Sequence, residues 1–328
     1  MIIAILGGGS WGTAMAVHLS LIGHEVRLYV RDEKKALKIK SQRKNSEYLS
    51  GIILPENIMV DSSLESVLTG VELVIGAIPA QAMESFYQEH PKLLANFPFV
   101  NLSKGITRDK LETMEQLYRG YYPQGNYATL SGPSHAEEVA RNVPTALVVA
   151  GEDENLLKLI QKAFSNEFLR VYRTDDTLGV ELSGAFKNVI ALVVGMASGC
   201  GFGDNTIAAL MTRGMAEIMR LGLAMGARQE TFLGLSGFGD LIVTCTSDFS
   251  RNRKAGKLLA QGYNEEEVKE EVGMVIEGLS TLRSVILLSR KYGQSMPIAE
   301  TLERVLLANL PIDQAMRKLM TRDYKEEI

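Results

Sequence analysis

Up to about Arg173 the apolar positions of this 328-residue chain come in short runs, at 2–6, 25–30, 73–77, 99–102, 128–130, 146–150 and 169–172, separated by longer stretches. Runs of that length, rich in Val, Ile and Leu, predict buried strands, and their alternation with helical stretches predicts a doubly wound parallel sheet. From Asp175 the texture changes. Leu178, Leu182, Ala185, Val189, Leu192 and Met196 recur at three- and four-residue intervals, and amphipathic stretches cover about 206–224, 251–261, 264–272, 277–291 and 297–308. The expectation is an α/β domain over 1–178 followed by an all-helical domain over 179–328, each large enough for its own core. The terminal Lys325-Glu326-Glu327 reads as a solvated tail.

The strand exits carry the unusual residues, and ligands of open α/β sheets collect at the carboxyl ends of strands. Run 2–6 empties into Gly7-Gly8-Gly9-Ser10-Trp11-Gly12, after which Ala14, Val17 and Leu21 mark a helix closed by Gly23. A strand, a G-x-G-x-x-G turn and a helix in that order are what a Rossmann-type dinucleotide site requires. Gly7 allows the turn, Gly9 lets a diphosphate approach the backbone, and Gly12 lets helix pack on strand. The diphosphate is then expected on the helix N-terminus near Ser10, where free N–H groups favour negative charge. The second strand ends Tyr29-Val30-Arg31-Asp32. Arg31 is suited to a ribose 2′-phosphate, so NADPH is the expected coenzyme with NADH as the secondary one. Asp32 is left with two readings, an ion pair with Arg31 or the cap of the next helix. Further exits are Ile78-Pro79-Ala80-Gln81, Ser103-Lys104-Gly105 and Gly132-Pro133-Ser134-His135.

In the helical half, Lys187 is the only charged residue between Leu182 and Gly203. Its neighbours three and four positions away on a helix are Ser183, Gly184, Ile190 and Ala191, none of which pairs with an ammonium. An ammonium buried there is a candidate proton carrier; the alternative is a lysine snorkelling to water. Asp240, which follows four glycine or serine breaks between Gly234 and Gly239, is either the partner of Lys187 or a helix cap. Ser250-Arg251-Asn252 offers an N-cap followed by a guanidinium, an arrangement suited to a phosphate or simply to a basic surface turn.

Composition narrows the partners. A formal net charge of −4 lacks the basic excess of a nucleic-acid binder. Cys200 and Cys245 are too few for a disulfide framework or zinc cluster and read as buried small hydrophobes in a reducing cytoplasm. No His, Cys and carboxylate cluster points to a metal. No run reaches the ~18 apolar residues of a membrane span, and the N-terminal stretch lacks the basic residues that precede a signal-peptide core. A soluble cytoplasmic protein that acts on a small molecule is expected.

The motifs G-G-G-S-W-G-T-A at 7–14, N-L-S-K-G at 101–105, S-G-P-S-H-A at 131–136, G-A-F-K-N at 184–188, G-F-G-D-L at 237–241, S-R-N-R at 250–253 and V-I-E-G at 275–278, in register to about residue 320, resemble the bacterial NAD(P)-dependent glycerol-3-phosphate dehydrogenases. The resemblance implies reversible hydride transfer between NAD(P)H and dihydroxyacetone phosphate, giving sn-glycerol 3-phosphate for phospholipid synthesis, in a homodimer. It makes Lys187 the acid/base. It assigns Lys104, Gly132, Ser134, Asp240, Ser250, Arg251 and Asn252 to the substrate. It assigns Gly7, Gly9, Ser10, Trp11, Gly12, Arg31, Lys104, Ala136, Arg251, Val275 and Glu277 to the cofactor. Phe186 and Ile207 depart from the aliphatic and basic residues expected at their positions, and neither removes a group the chemistry needs. The competing readings are a Rossmann enzyme for another hydroxy acid or sugar acid, and a non-catalytic NADPH sensor.

Overall fold

The structure, a computed structural model, describes residues 1–308 and 310–321, so the acidic and basic tail at 325–327 lies outside the described residues. Two compact units divide the chain: Met1–Thr107 with Glu112–Glu181, and Arg108–Leu111 with the chain from Leu182 onward.

Eight strands form the sheet of the first unit: β1 (Ile2–Leu6), β2 (Glu25–Tyr29), β3 (Ile58–Asp61), β4 (Leu73–Gly76), β5 (Phe99–Asn101), β6 (Tyr127–Ser131), β7 (Thr145–Gly151) and β8 (Leu169–Thr174). Their order is β3-β2-β1-β4-β5-β6-β7-β8. All pairs are parallel except β6 and β7, which run antiparallel with Ser131 opposite Val148. The expected sheet therefore forms with one reversal. β3 escapes the periodicity because it has only four residues and alternates, Ile58 and Val60 inward, Met59 and Asp61 half-buried.

The period-two geometry of β1 feeds two cores. Ile3 and Ile5 join Val26, Leu28, Ile75 and Val100 on one face; Ala4 and Leu6 join Val74, Phe99, Tyr118 and Tyr127 on the other. Tyr118 stacks on Phe99 with centroids 5.1 Å apart. Strand order reverses between β1 and β4, which is where such sheets open a ligand crevice at their carboxyl ends.

Glu181 is the last residue of this unit and is buried beside β6. It accepts from Tyr127 Oη at 2.5 Å and from the backbone N–H of Glu115 at 3.0 Å. Loss of solvent pushes its carboxyl up to about 7 against the lowering effect of these donors.

The second unit is helical. Helices Asp204–Ala224, Arg251–Ala260, Glu265–Val272, Glu277–Lys291 and Pro297–Leu307 match the amphipathic stretches, and Gln229–Leu233, Asp240–Thr246 and Ile312–Met320 are additional. The helix Thr177–Gly199 runs from the end of the first unit into the second. It is long and apolar enough to cross a bilayer by composition, yet that window is wholly buried within the protein, as in a core helix. Gly195 and Gly256 let this helix and Arg251–Ala260 cross almost backbone to backbone: a Cβ on Gly195 would lie 2.2 Å from Arg253 O, and one on Gly256 2.1 Å from Leu192 O. Phe186 is absorbed by the core at 1% exposure. Cys245 is buried as expected, whereas Cys200, just past the helix end at Gly199, is exposed.

Candidate active site

At the carboxyl end of β1 the glycine turn has the shape of a phosphate cradle. Gly7 has φ +124°, and a Cβ there would meet Ala77 O at 2.5 Å; a Cβ on Gly12 would meet Gly7 O at 2.0 Å. A Cβ on Gly9, by contrast, would point into open space with no atom within 4 Å. Gly9 is also the N-cap of the twelve-residue helix Ser10–Leu21 and supplies no side chain to its free N–H groups. A turn sealed beneath at Gly7 and Gly12 and open above at Gly9 fits a dinucleotide diphosphate. Asn45, at 3% exposure, braces it by donating to Gly8 O and to Thr13 Oγ1, both at 2.8 Å. Trp11 packs its half-buried ring against the core beside this turn.

At the end of β2, Asp32 caps the helix Glu33–Gln42. Arg31 is exposed and makes no hydrogen bond or ion pair among the described residues.

The exits of β5 and β6 meet. Lys104 Nζ donates to Gly132 O at 3.2 Å, and Ser134 Oγ donates to the same carbonyl at 2.9 Å. Two of the residues expected to touch substrate thus share as acceptor the carbonyl of a third, a glycine whose φ of +134° turns the chain away from β6. Asn101 holds the Lys104 loop through both ends of its amide, Nδ2 to Ser103 O at 2.9 Å and Oδ1 from Ser103 N–H at 3.0 Å. Ala136 begins the short helix Ala136–Val139 directly after this loop.

In the second unit Lys187 is 6% exposed, so it does not snorkel. Its Nζ is ion-paired to Asp240 and donates to Thr244 Oγ1 at 2.7 Å. Thr244 in turn donates to Asp240 O at 2.5 Å, one turn earlier on the helix Asp240–Thr246. The ammonium that looked isolated on its own helix is therefore compensated by a carboxylate 53 residues away. Cys245 adjoins the pair, and burial pushes its thiol up to about 12, leaving it neutral.

The residue after the lysine, Asn188, ties this centre to the next helix. Asn252 Nδ2 donates to Asn188 Oδ1 at 2.9 Å, and Asn252 Oδ1 accepts from Gly278 N–H at 2.9 Å. Asn188 Nδ2 reaches Glu277 Oε2 at 3.4 Å. Ser250 caps Arg251–Ala260 by accepting from Arg253 N–H at 3.2 Å. Arg253 is held by Asp248 at 2.5 Å, while the half-buried Arg251 at the first helical position makes no hydrogen bond or ion pair among the described residues. Val275 lies just before this cluster and is 48% exposed.

The N-terminal model of NAD-dependent glycerol-3-phosphate dehydrogenase matches residues 2–157 and the C-terminal model of the same family matches 176–317. The chain belongs to the NAD-dependent glycerol-3-phosphate dehydrogenase family. It is 45% identical over 329 residues to glycerol-3-phosphate dehydrogenase [NAD(P)+] of Thermoanaerobacter sp., covering 100% of this chain and 99% of that one. Identity is 46% with the protein of the same name from Pelotomaculum thermopropionicum, over 99% of this chain and 95% of that one. The crystal structure of glycerol-3-phosphate dehydrogenase from Coxiella burnetii superposes with a TM-score of 0.94 at 35% identity, covering 98% and 99% of the two chains.

The glycine turn at 7–12 falls within the residues that the N-terminal model matches, and Lys187, Asp240 and Thr244 fall within those that the C-terminal model matches. Four residues that hold parts of the site were not singled out from the sequence: Asn45, Asn101, Asn188 and Thr244. Each is a polar residue buried or nearly so, at 3%, 0%, 5% and 5% exposure. Asn101 and Asn188 do lie inside the motifs N-L-S-K-G and G-A-F-K-N.

Proposed function

We propose that the chain is an NADPH-preferring dehydrogenase that reversibly reduces dihydroxyacetone phosphate to sn-glycerol 3-phosphate, with Lys187 as acid and base. The observation that carries the reading is the buried Lys187 ammonium held between Asp240 and Thr244.

The coenzyme would be held at the Gly7–Gly12 cradle by the N–H groups that open the helix Ser10–Leu21, with Arg31 at the 2′-phosphate and Trp11 beside it. Lys104, Ala136, Arg251, Val275 and Glu277 complete its contacts in the family pattern. When bound it supplies a hydride for the C2 carbon of the ketone.

Lys187 holds the proton that the C2 oxygen takes up. Asp240 keeps the lysine charged while it waits, and the oxygen of the product carries the proton away, leaving a neutral amine that is recharged from solvent. The reverse reaction uses the same amine to accept the alcohol proton. Arg251, beside the Ser250-capped helix start and the Asn252 amide, offers the phosphate a guanidinium and free N–H groups. Binding energy from that remote group orients the ketone. Lys104, Gly132 and Ser134 line the substrate from the β5 and β6 exits.

The reading also has the enzyme as a cytoplasmic homodimer supplying glycerophospholipid synthesis. Its test is NADPH oxidation followed optically with the purified protein. Dihydroxyacetone phosphate should drive it, while unphosphorylated dihydroxyacetone and a 2-keto acid should not. No turnover with dihydroxyacetone phosphate refutes the reading.

A further inference from the structure

Between the helices Gln229–Leu233 and Asp240–Thr246 the chain makes one π-helical turn, Leu235–Gly239, before settling into α-geometry at Asp240. Gly239 N–H bonds Gly234 O at 3.1 Å, five residues back, and Asp240 N–H is shared between Leu235 O, also five back, and Gly237 O, three back. Such turns are costly relative to α-helix and persist where something enforces them. Here the enforcing contact is at Gly237, which is buried: a Cβ there would lie 2.0 Å from Phe232 O and 2.4 Å from its carbonyl carbon. Phe232 cannot retreat. It is fully buried, and its ring is seated on Gly222 of the helix Asp204–Ala224, where a Cβ would come within 2.1 Å of the ring.

The extra residue has a geometric consequence. Each residue of an α-helix advances about 100°, so tightening the π turn to α-spacing would swing Asp240 and Thr244 about 100° around their helix axis. Both side chains contact Lys187 from that one face. We propose that the π turn, locked by Gly237 against the Phe232 backbone, is what aims Asp240 and Thr244 at Lys187, making Gly237 a positioning residue for the reaction. The inference rests on Lys187 being the acid/base of the proposed function.

The test is the pH dependence of kcat for ketone reduction in Gly237→Ala, Asp240→Asn and Gly234→Ala. Losing the carboxylate removes the charge that favours the ammonium, so the basic limb of the profile moves to lower pH by ~1 unit in Asp240→Asn. Burial pushes the thiol of Cys245, which adjoins the pair, up to about 12, so it stays neutral in that range. Gly237→Ala is expected to reproduce the displaced limb and to lose about a hundredfold in kcat through misplacement of the lysine. Gly234→Ala is the matched control. It heads the same turn, but its Cβ would have ordinary room at 3.4 Å from Thr231 O, so its profile should remain that of the parent.

If Gly237→Ala does not fold, Gly222→Ala presses on the Phe232 ring instead of on backbone and should give a smaller shift in the same direction. A position of the limb does not depend on how much enzyme is folded, so simple destabilisation does not mimic it. A parental limb in Gly237→Ala, or in Gly222→Ala where that variant carries the test, overturns the positioning role while leaving Lys187 and Asp240 intact. A parental limb in Asp240→Asn overturns the lysine reading itself.

Discussion

Asp32 accepts a hydrogen bond from the backbone N–H of Lys35 at 2.9 Å, so the carboxylate that ends the second strand's exit serves its helix and not its neighbour Arg31. A carboxylate at this place in Rossmann folds ordinarily binds a ribose 2′-OH and selects NAD. Capping engages that group and leaves the Arg31 guanidinium available for a 2′-phosphate. Arg31→Ala should therefore weaken NADPH binding by about tenfold or more, the loss of one charge-assisted hydrogen bond, and change NADH binding little. Fluorescence titration with both coenzymes measures this, and equal losses would remove the basis for NADPH preference.

Arg251 is expected to recognise the substrate phosphate. One charge-assisted hydrogen bond contributes about 1.5–3 kcal/mol, so Arg251→Ala should lower kcat/KM for dihydroxyacetone phosphate by roughly ten- to a hundredfold. Dihydroxyacetone, lacking the phosphate, should be affected much less. Steady-state rates on the two ketones decide it. The same proportional loss on both would assign Arg251 to the coenzyme alone.

Glu181 gives stability a pH dependence of unusual sign for a carboxylate. Its folded-state value, about 7, lies above the unfolded one near 4.5, so the unfolded chain ionises first as pH rises. Stability is fully present below about 4.5, declines through the window to about 7 and is level above it, the total change approaching about 3 kcal/mol. Glu181→Gln should abolish that slope in urea unfolding measured from pH 4.5 to 8. A slope that survives the substitution would assign it to another group.

Much of this was legible in the chain because it depends on local pattern. The aliphatic runs marked seven of the eight strands, and the glycine spacing at 7, 9 and 12 located the cradle because only a residue without Cβ fits at two of those points. Lys187 stood out as a lone charge in an apolar helix. Asp240 was offered as its partner with a helix cap as the alternative, and the ion pair decides for the partner, whereas Thr244, from the same helix 57 residues away, was beyond any periodicity. Asn45 and Asn188 were equally silent: a buried amide is recognisable only from the backbone and side-chain groups it joins, and those meet through tertiary packing. The π turn was visible only as a cluster of glycine and serine, whose purpose depends on where Phe232 lies.

The most direct test of the lysine centre is the single-turnover rate of NADPH oxidation by Lys187→Ala at saturating dihydroxyacetone phosphate, with NADPH affinity measured on the same preparation. Loss of a general acid should slow the step by about 10²–10⁴-fold, and Lys187→Arg should not restore it because a guanidinium is a poor proton donor at neutral pH. NADPH affinity should remain nearly that of the parent. A single-turnover rate close to the parent's in Lys187→Ala would make the Lys187–Asp240 pair structural and contradict the account.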